Sequence, residues 1–304
     1  MSGLGPLQDQ AGIELWKGDL VADPEWTVLL TNDDGIGAEG IQVMRRALLE
    51  EGARVFTLAP EEGHSCGGHR VTVDGYLEVR RLSGRSNHLS CSGTPADCVR
   101  AGILGRVVPF PDVVVSGINH GANAGDDVHY SGTVAAASEA ALLGVPAMAV
   151  SQNGDGFAVP FVAQMPRQFV DTRLAARLAR CIAEGGLPNR TVINLNLPSV
   201  QSGLRPEPAL IGRRRWRSAE IHKVDVAKES DVILLKPWAS DAEPEWTAGT
   251  DFSFLREGRA SISILGVDGG MRDMLDVHRA ELDSLIAAAA YEKSSTPDQL
   301  DARS

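Results

Sequence analysis

WTVLLTNDDGIGAEGIQVMRRALLEEGARVFTLAP, residues 26–60, holds one complete unit of a layered fold. Trp26–Thr31 is a short apolar run with β-branched members, the composition of a strand covered on both faces. A Gly-bearing loop follows it. From about 38 to 51 the apolar residues Ile41, Met44, Leu48 and Leu49 recur at helical spacing, and Arg54–Ala59 is a second strand. Strand, loop, helix and strand in this order predict a parallel βαβ unit.

The rhythm continues downstream. A Gly-rich loop at 60–70 leads into extended segments near 71–80 and 87–91. Pro95 opens a helix to about Leu104, Asp112–Ser116 is a buried strand, and a polar loop runs from Gly117 to Tyr130. Ser131 starts a helix of small residues that ends at Gly144. Ala147–Ser151, a helix near 167–184 and Thr191–Leu195 complete the series. After residue 200 short alternating strands, as in 231–236 and 260–265, replace it. The expected fold is α/β: a Rossmann-like three-layer core on a parallel sheet over 25–200. A loosely ordered lead-in precedes it at 1–24. A hairpin-rich extension with a returning strand, serving oligomerisation, follows at 201–270, and a C-terminal helix and flexible tail at 271–304.

A chain of 304 residues can bury the core this requires. Its formal charge of -11 repels nucleic acid polymers and anionic membranes. The same field repels a phosphate ester, so a phosphate site here needs a cation, an Arg cluster or backbone N–H groups. The four cysteines, Cys66, Cys91, Cys98 and Cys181, form no CxxC pair or zinc spacing and read as free thiols. No apolar run reaches the roughly 18 residues of a membrane span, and the first residues lack a signal-peptide pattern. A cytoplasmic location is expected.

Four loops carry the chemistry. Asn32-Asp33-Asp34-Gly35 lies at the carboxyl end of the first strand, where open α/β sheets bind ligands. Adjacent carboxylates repel unless a cation neutralises them, and oxygen donors favour a hard ion such as Mg²⁺ or Mn²⁺. The same residues also make an ordinary turn. Ser116–Asn123 follows the strand 112–116. Asn119 and Asn123 offer amide groups that complete a metal shell, hold a phosphoryl oxygen, or merely build turns. Ser131, Gly132 and Thr133 open a helix, a seat for phosphate or a plain N-cap. Pro60–His69 supplies Ser65 as a ligand, and His64 or His69 as an acid. A serine-hydrolase reading fails for want of a GxSxG elbow. An aspartyl-phosphate mechanism is disfavoured because the Asp pair is adjacent instead of spaced as DxD. Elsewhere, Arg213, Arg214, Arg215 and Arg217 form a basic cluster, either a solvated face or a contact to substrate, with Trp216 beside it.

These motifs resemble the SurE family of nucleoside-monophosphate phosphatases. LLTNDDGIGAEGIQ, LAPEEGHSCGGH, CSGTPADCV and VVVSGINHGANAGDDVHYSGTVAAASEA follow the family's order over residues 26–200, and GTDFSFLREGRASISIL is similar to its C-terminal strand. The resemblance implies hydrolysis of 5′- and 3′-nucleotides, some polyphosphate cleavage, a swapped or extended arm, and a homodimer or homotetramer. It also implies one divalent ion per subunit, held by Asp33, Asp34, Ser65 and Asn119. Asn32, Asn123, Ser131, Gly132, Thr133 and His69 are then expected at the phosphate. Glu61-Glu62-Gly63-His64 departs from the basic or Asn-containing segment usual before Ser65, and 226–233 lacks a family strand. Two alternatives stay open: a biosynthetic phosphatase for a modified nucleotide or sugar phosphate, and an idle nucleotide-binding or assembly subunit.

Overall fold

A strand buried on both faces needs apolar side chains at odd and even positions alike, and the first strand has them. In β1 (Trp26–Thr31), Val28 and Leu30 point to one side of the sheet and Leu29 to the other. On the first side they meet α1 (Glu39–Glu50) through Ile41, Met44 and Leu48. The second side is closed by α2 (Pro95–Ile103), whose N-terminus is fixed by a capping box between Thr94 and Asp97. Each buried aliphatic side chain contributes about 1.5–3 kcal/mol, so both layers are required.

The computed structural model describes residues 26–82, 87–154, 168–185, 187–200, 205–215, 220–222, 234–236 and 242–268. The expected lead-in at 1–24, the terminal helix at 272–291, Trp216, Arg217 and the segment 226–233 lie outside them. Along the chain follow β2 (Ala53–Pro60), β3 (Val79–Arg81), β4 (His88–Cys91), α2, β5 (Val113–His120), a 3₁₀ turn (Gly125–His129), α3 (Gly132–Leu142) and β6 (Ala147–Gln152). Then come α4 (Thr172–Ala183), β7 (Thr191–Leu197), β8 (Glu207–Pro208), β9 (Arg214–Arg215), β10 (Glu220–His222), β11 (Leu234–Lys236), β12 (Glu243–Pro244), α5 (Asp251–Arg256) and β13 (Ser261–Gly266).

The main sheet has the order β3-β4-β2-β1-β5-β6-β7-β13-β8. Strands β4, β2, β1, β5, β6 and β7 run parallel. Helices α1 and α4 cover one face, α2 and α3 the other, which makes three layers and an α/β fold. After β1 the chain builds toward β2 and β4 on one side, then crosses to β5, β6 and β7 on the other. The loop leaving β1 therefore opens at the topological switch point, where a crevice forms between diverging connections.

Several element boundaries differ from expectation. The polar segment after Ser116 is not all loop: β5 continues to His120 because pairing with β6 resumes after a register shift between Ser116 and Asn119. The segment near 71–80 is strand only from Val79 onward, and Val73 and Tyr76 ahead of it are exposed. Helix α4 starts at Thr172, later than 167. In the extension β9 pairs with β12 and β10 with β11, both antiparallel. The segment 260–265 belongs elsewhere: β13 returns to the main sheet, antiparallel to β7. Among the described residues no helix is long and apolar enough to cross a membrane.

Candidate metal and phosphate site

The four loops singled out above meet at the carboxyl edge of the sheet. The N–H of His64 donates to the Asp33 carbonyl at 2.7 Å, and that of Ile36 to the Pro60 carbonyl at 2.8 Å, which lays the 61–69 loop on the Asn32–Gly35 turn. Gly35 sits at φ 98° with the backbone of Glu62 against it, a position only glycine fills without strain. The N–H of Gly68 donates to the Tyr130 carbonyl at 3.0 Å, tying the same loop to the entry of α3. Ser65 is exposed between these two anchors.

Asp33 is buried and lies against the first turn of α3. Its carboxylate accepts hydrogen bonds from the hydroxyl and the backbone N–H of Thr133. A Cβ on Gly132 would stand 2.8 Å from the Cβ of Asp33, so glycine there is what permits this approach. Burial, and then the charge of Asp34, raise the Asp33 pKa from its ordinary 3.8 to about 6 against the lowering effect of Thr133. Asp34 is also pushed up, by burial first; its Oδ2 accepts the backbone N–H of His120 at 3.1 Å, and the His120 ring lies 3.7 Å from Oδ1, both of which favour the ionised form. The side-chain N–H of Asn119 donates to the Gly121 carbonyl at 2.9 Å, which turns the amide and commits its nitrogen. Asn32 is fully buried, donates to the Gly35 carbonyl at 2.9 Å, and leaves its Oδ1 without a hydrogen-bond partner among the described residues.

This donor set fits a hard divalent ion. Its atoms are carboxylate and amide oxygens, the carboxylates being ones that burial, and for Asp33 also the charge of Asp34, disfavours as anions. Among the described residues no three of His, Cys, Asp and Glu gather as a metal cluster, so the neutral oxygens of Asn119 and Ser65 would have to complete the shell.

A scan of the chain against protein-family models matches the survival protein SurE over residues 28–218. The chain belongs to the SurE family. Among SurE relatives, the 5′-nucleotidase SurE of Syntrophotalea carbinolica is 40% identical over 242 residues, covering 79% of this chain and 91% of that protein. The 5′-nucleotidase SurE of Methylococcus capsulatus is 36% identical over 266 residues, covering 86% and 99%. The solved SurE protein from Aquifex aeolicus superposes with a TM-score of 0.65 at 28% identity, covering 84% of this chain and 99% of that one.

Within this SurE site some expected groups are already engaged. The Ser131 hydroxyl accepts the Val134 N–H at 3.0 Å, the plain cap, and the Thr133 hydroxyl serves Asp33. The N–H of Gly132 has no described partner and stays available to an anion at the helix terminus. His69 contacts Glu139 Oε2 at 2.8 Å, and the other oxygen of Glu139 accepts from Arg100 at 2.7 Å. The bond to His69, and then Arg100, hold the Glu139 carboxyl below its usual range despite burial. His69 and Ser131 border a cleft of about 380 Å³ along α3.

The arginine cluster is neither a solvated face nor a substrate clamp at its centre. Arg214 is buried and forms a bidentate pair with Asp127 at 2.7 and 2.6 Å. It also donates to the Ala242 carbonyl and lies over the Phe252 ring. Arg213 and Arg215 are exposed.

Residues outside the four loops hold the site loop. Asp251, fully buried, accepts the N–H groups of Gly125, Gly212 and Phe252 at 2.8–2.9 Å. Asn194 and Asn196 of β7 bind the main chain of Asn123, and Ser151 receives its side-chain N–H at 2.7 Å. The signal for the last pair was present: two Asn two residues apart inside the apolar run Val192–Leu197 put amides on one buried face of a strand.

Proposed function

We propose that this chain is a metal-dependent phosphomonoesterase that hydrolyses nucleoside 5′-monophosphates, and 3′-monophosphates by the same chemistry, to nucleoside and phosphate. The observation that carries the reading is the placement of Asp33 and Asp34 at the switch point, with Asp33 seated against the N-terminus of α3. The names of the relatives, 5′-nucleotidase SurE, supply the substrate class. One Mg²⁺ or Mn²⁺ per subunit would be held by Asp33, Asp34, Ser65 and Asn119. When bound, such an ion neutralises phosphate charge and makes water a better nucleophile at neutral pH.

The chain's own groups do the rest. The Gly132 N–H and the helix terminus can receive an anion, while Asn32 and Asn123, both buried, are bonded to Gly35 and to Ser151, Asn194 and Asn196 and would act by shaping the loops around the phosphate. Thr133 and the His120 backbone orient the two carboxylates. His69, held by Glu139, is assigned the proton for the leaving alkoxide. The assembly is read as a homodimer or homotetramer acting in the cytoplasm on small phosphate esters.

The test is phosphate release from a panel of nucleotides and sugar phosphates before and after chelation. Activity should vanish in the stripped protein and return with Mn²⁺ or Mg²⁺. Full activity without metal would overturn the mechanism, and no activity on any ester would favour an idle binding subunit.

A further inference from the structure

A row of polar side chains crosses the sheet beside the site. Asn119 of β5 pairs in register with Ser151 of β6, Ser151 with Asn196 of β7, and Asn196 with Ser261 of β13. Three of these four are fully buried. Burying amides and hydroxyls is unfavourable unless they hydrogen-bond, so the partners they choose are informative.

The Asn196 amide makes both of its bonds to one residue. Its Oδ1 accepts the backbone N–H of Asn123 at 2.9 Å, and its Nδ2 donates to the Asn123 carbonyl at 3.1 Å. A side chain here imitates a neighbouring strand. Asn194, two residues earlier on the same face, donates to the same carbonyl at 2.8 Å. The Asn123 side-chain N–H goes to Ser151 at 2.7 Å. Asn123 is thus held at its backbone donor, its backbone acceptor and its side chain, all by residues from β6 and β7. Four residues earlier stands Asn119, and the segment between them is fastened at His120 to Asp34 and at Gly121 to the Gln152 carbonyl.

We propose that Asn196 is a positioning residue for phosphoester hydrolysis: by gripping the Asn123 main chain it sets the 119–123 segment, and with it the Asn119 oxygen, against Asp33 and Asp34. Asn196 is not among the residues assigned to the ion or the substrate. Its effect runs through the backbone of a segment too short to absorb a displacement. The inference rests on the phosphatase reading above.

The experiment compares wild type with Asn196→Leu, similar in volume but without either hydrogen bond, and with Asn196→Ser, smaller and still polar. Three quantities are read: kcat and KM for a 5′-nucleotide, Mn²⁺ affinity of the chelator-stripped protein by electron paramagnetic resonance, and Tm. A misplacement of about 1 Å costs on the order of 10²-fold. Asn196→Leu should therefore lose on the order of 10²-fold in kcat, with KM within about threefold, and bind Mn²⁺ about tenfold more weakly. Asn196→Ser should fall between the two if its hydroxyl recovers one bond. If either variant folds with a lowered Tm but keeps wild-type kcat and Mn²⁺ affinity, Asn196 is only structural and the proposal fails. Should wild type itself neither bind Mn²⁺ nor release phosphate, the phosphatase reading fails instead.

Discussion

Asp33 and Asp34 occupy one crevice yet have different supports. Asp33 rests on a helix terminus and a threonine hydroxyl, Asp34 on a backbone N–H and an imidazole. Asp34→Asn keeps the shape and removes a charge. It should cost at least about 10²-fold in kcat/KM, about 2.7 kcal/mol of transition-state stabilisation, as steady-state kinetics with saturating Mn²⁺ would read. Ser65→Ala should cost less, because a water can replace a neutral oxygen. Glu139 yields a pH prediction. Its folded pKa lies below the ordinary 4.5, so its stabilisation is present above that value and is lost as pH falls through the folded pKa. Glu139→Gln should lower Tm near pH 7 by about 2–4 °C, the equivalent of about 1 kcal/mol, and the gap to wild type should close in strongly acidic buffer. A gap that persists at low pH would mean that packing, and not the charge held between His69 and Arg100, is what the substitution disturbs.

Among the elements, the short strand β9 changes the meaning of the arginine cluster. Arg214 pairs with Asp127 inside the protein, and burial raises the Asp127 pKa against the pull of that arginine. Arg214→Ala leaves a buried carboxylate without its partner and should destabilise the fold by about 3–5 kcal/mol, read by urea denaturation. KM for nucleotides in the folded fraction should stay within about threefold. Arg215→Ala, at an exposed side chain 3.7 Å from Glu245, should change stability by no more than about 1 kcal/mol. A large rise in KM from Arg214→Ala with unchanged stability would return the cluster to substrate binding. Helix α3 is the other element whose chemistry is shared with its surroundings. Its small residues let it lie close on the sheet, and Gly132 at its start lets Asp33 come within van der Waals range.

For the molecule as a whole, the β9–β12 and β10–β11 pairs have two strands each, marginal on their own in water. Leu210 and Ile264 are exposed aliphatic side chains in the same C-terminal region. A dimer or larger assembly is expected, and light scattering that finds only monomer at micromolar concentration would sink it. The parallel core, the order of its strands along the chain and the two carboxylates of the turn after β1 could be read from local pattern, because buried strands and helix periodicity are written in consecutive residues. So could the turn glycine and the cap of α3. Other features needed the folded chain. That the loop after β1 lies at the switch point depends on which side β5 takes. The pairing of Arg214 with Asp127 joins residues 87 apart, that of Asp251 with Gly125 residues 126 apart, and that of Asn196 with Asn123 residues 73 apart. An isolated Arg or Asn has the same local appearance whether it is solvated or buried. Its partner is chosen by how distant strands come into register, and desolvation then turns that choice into a fixed contact.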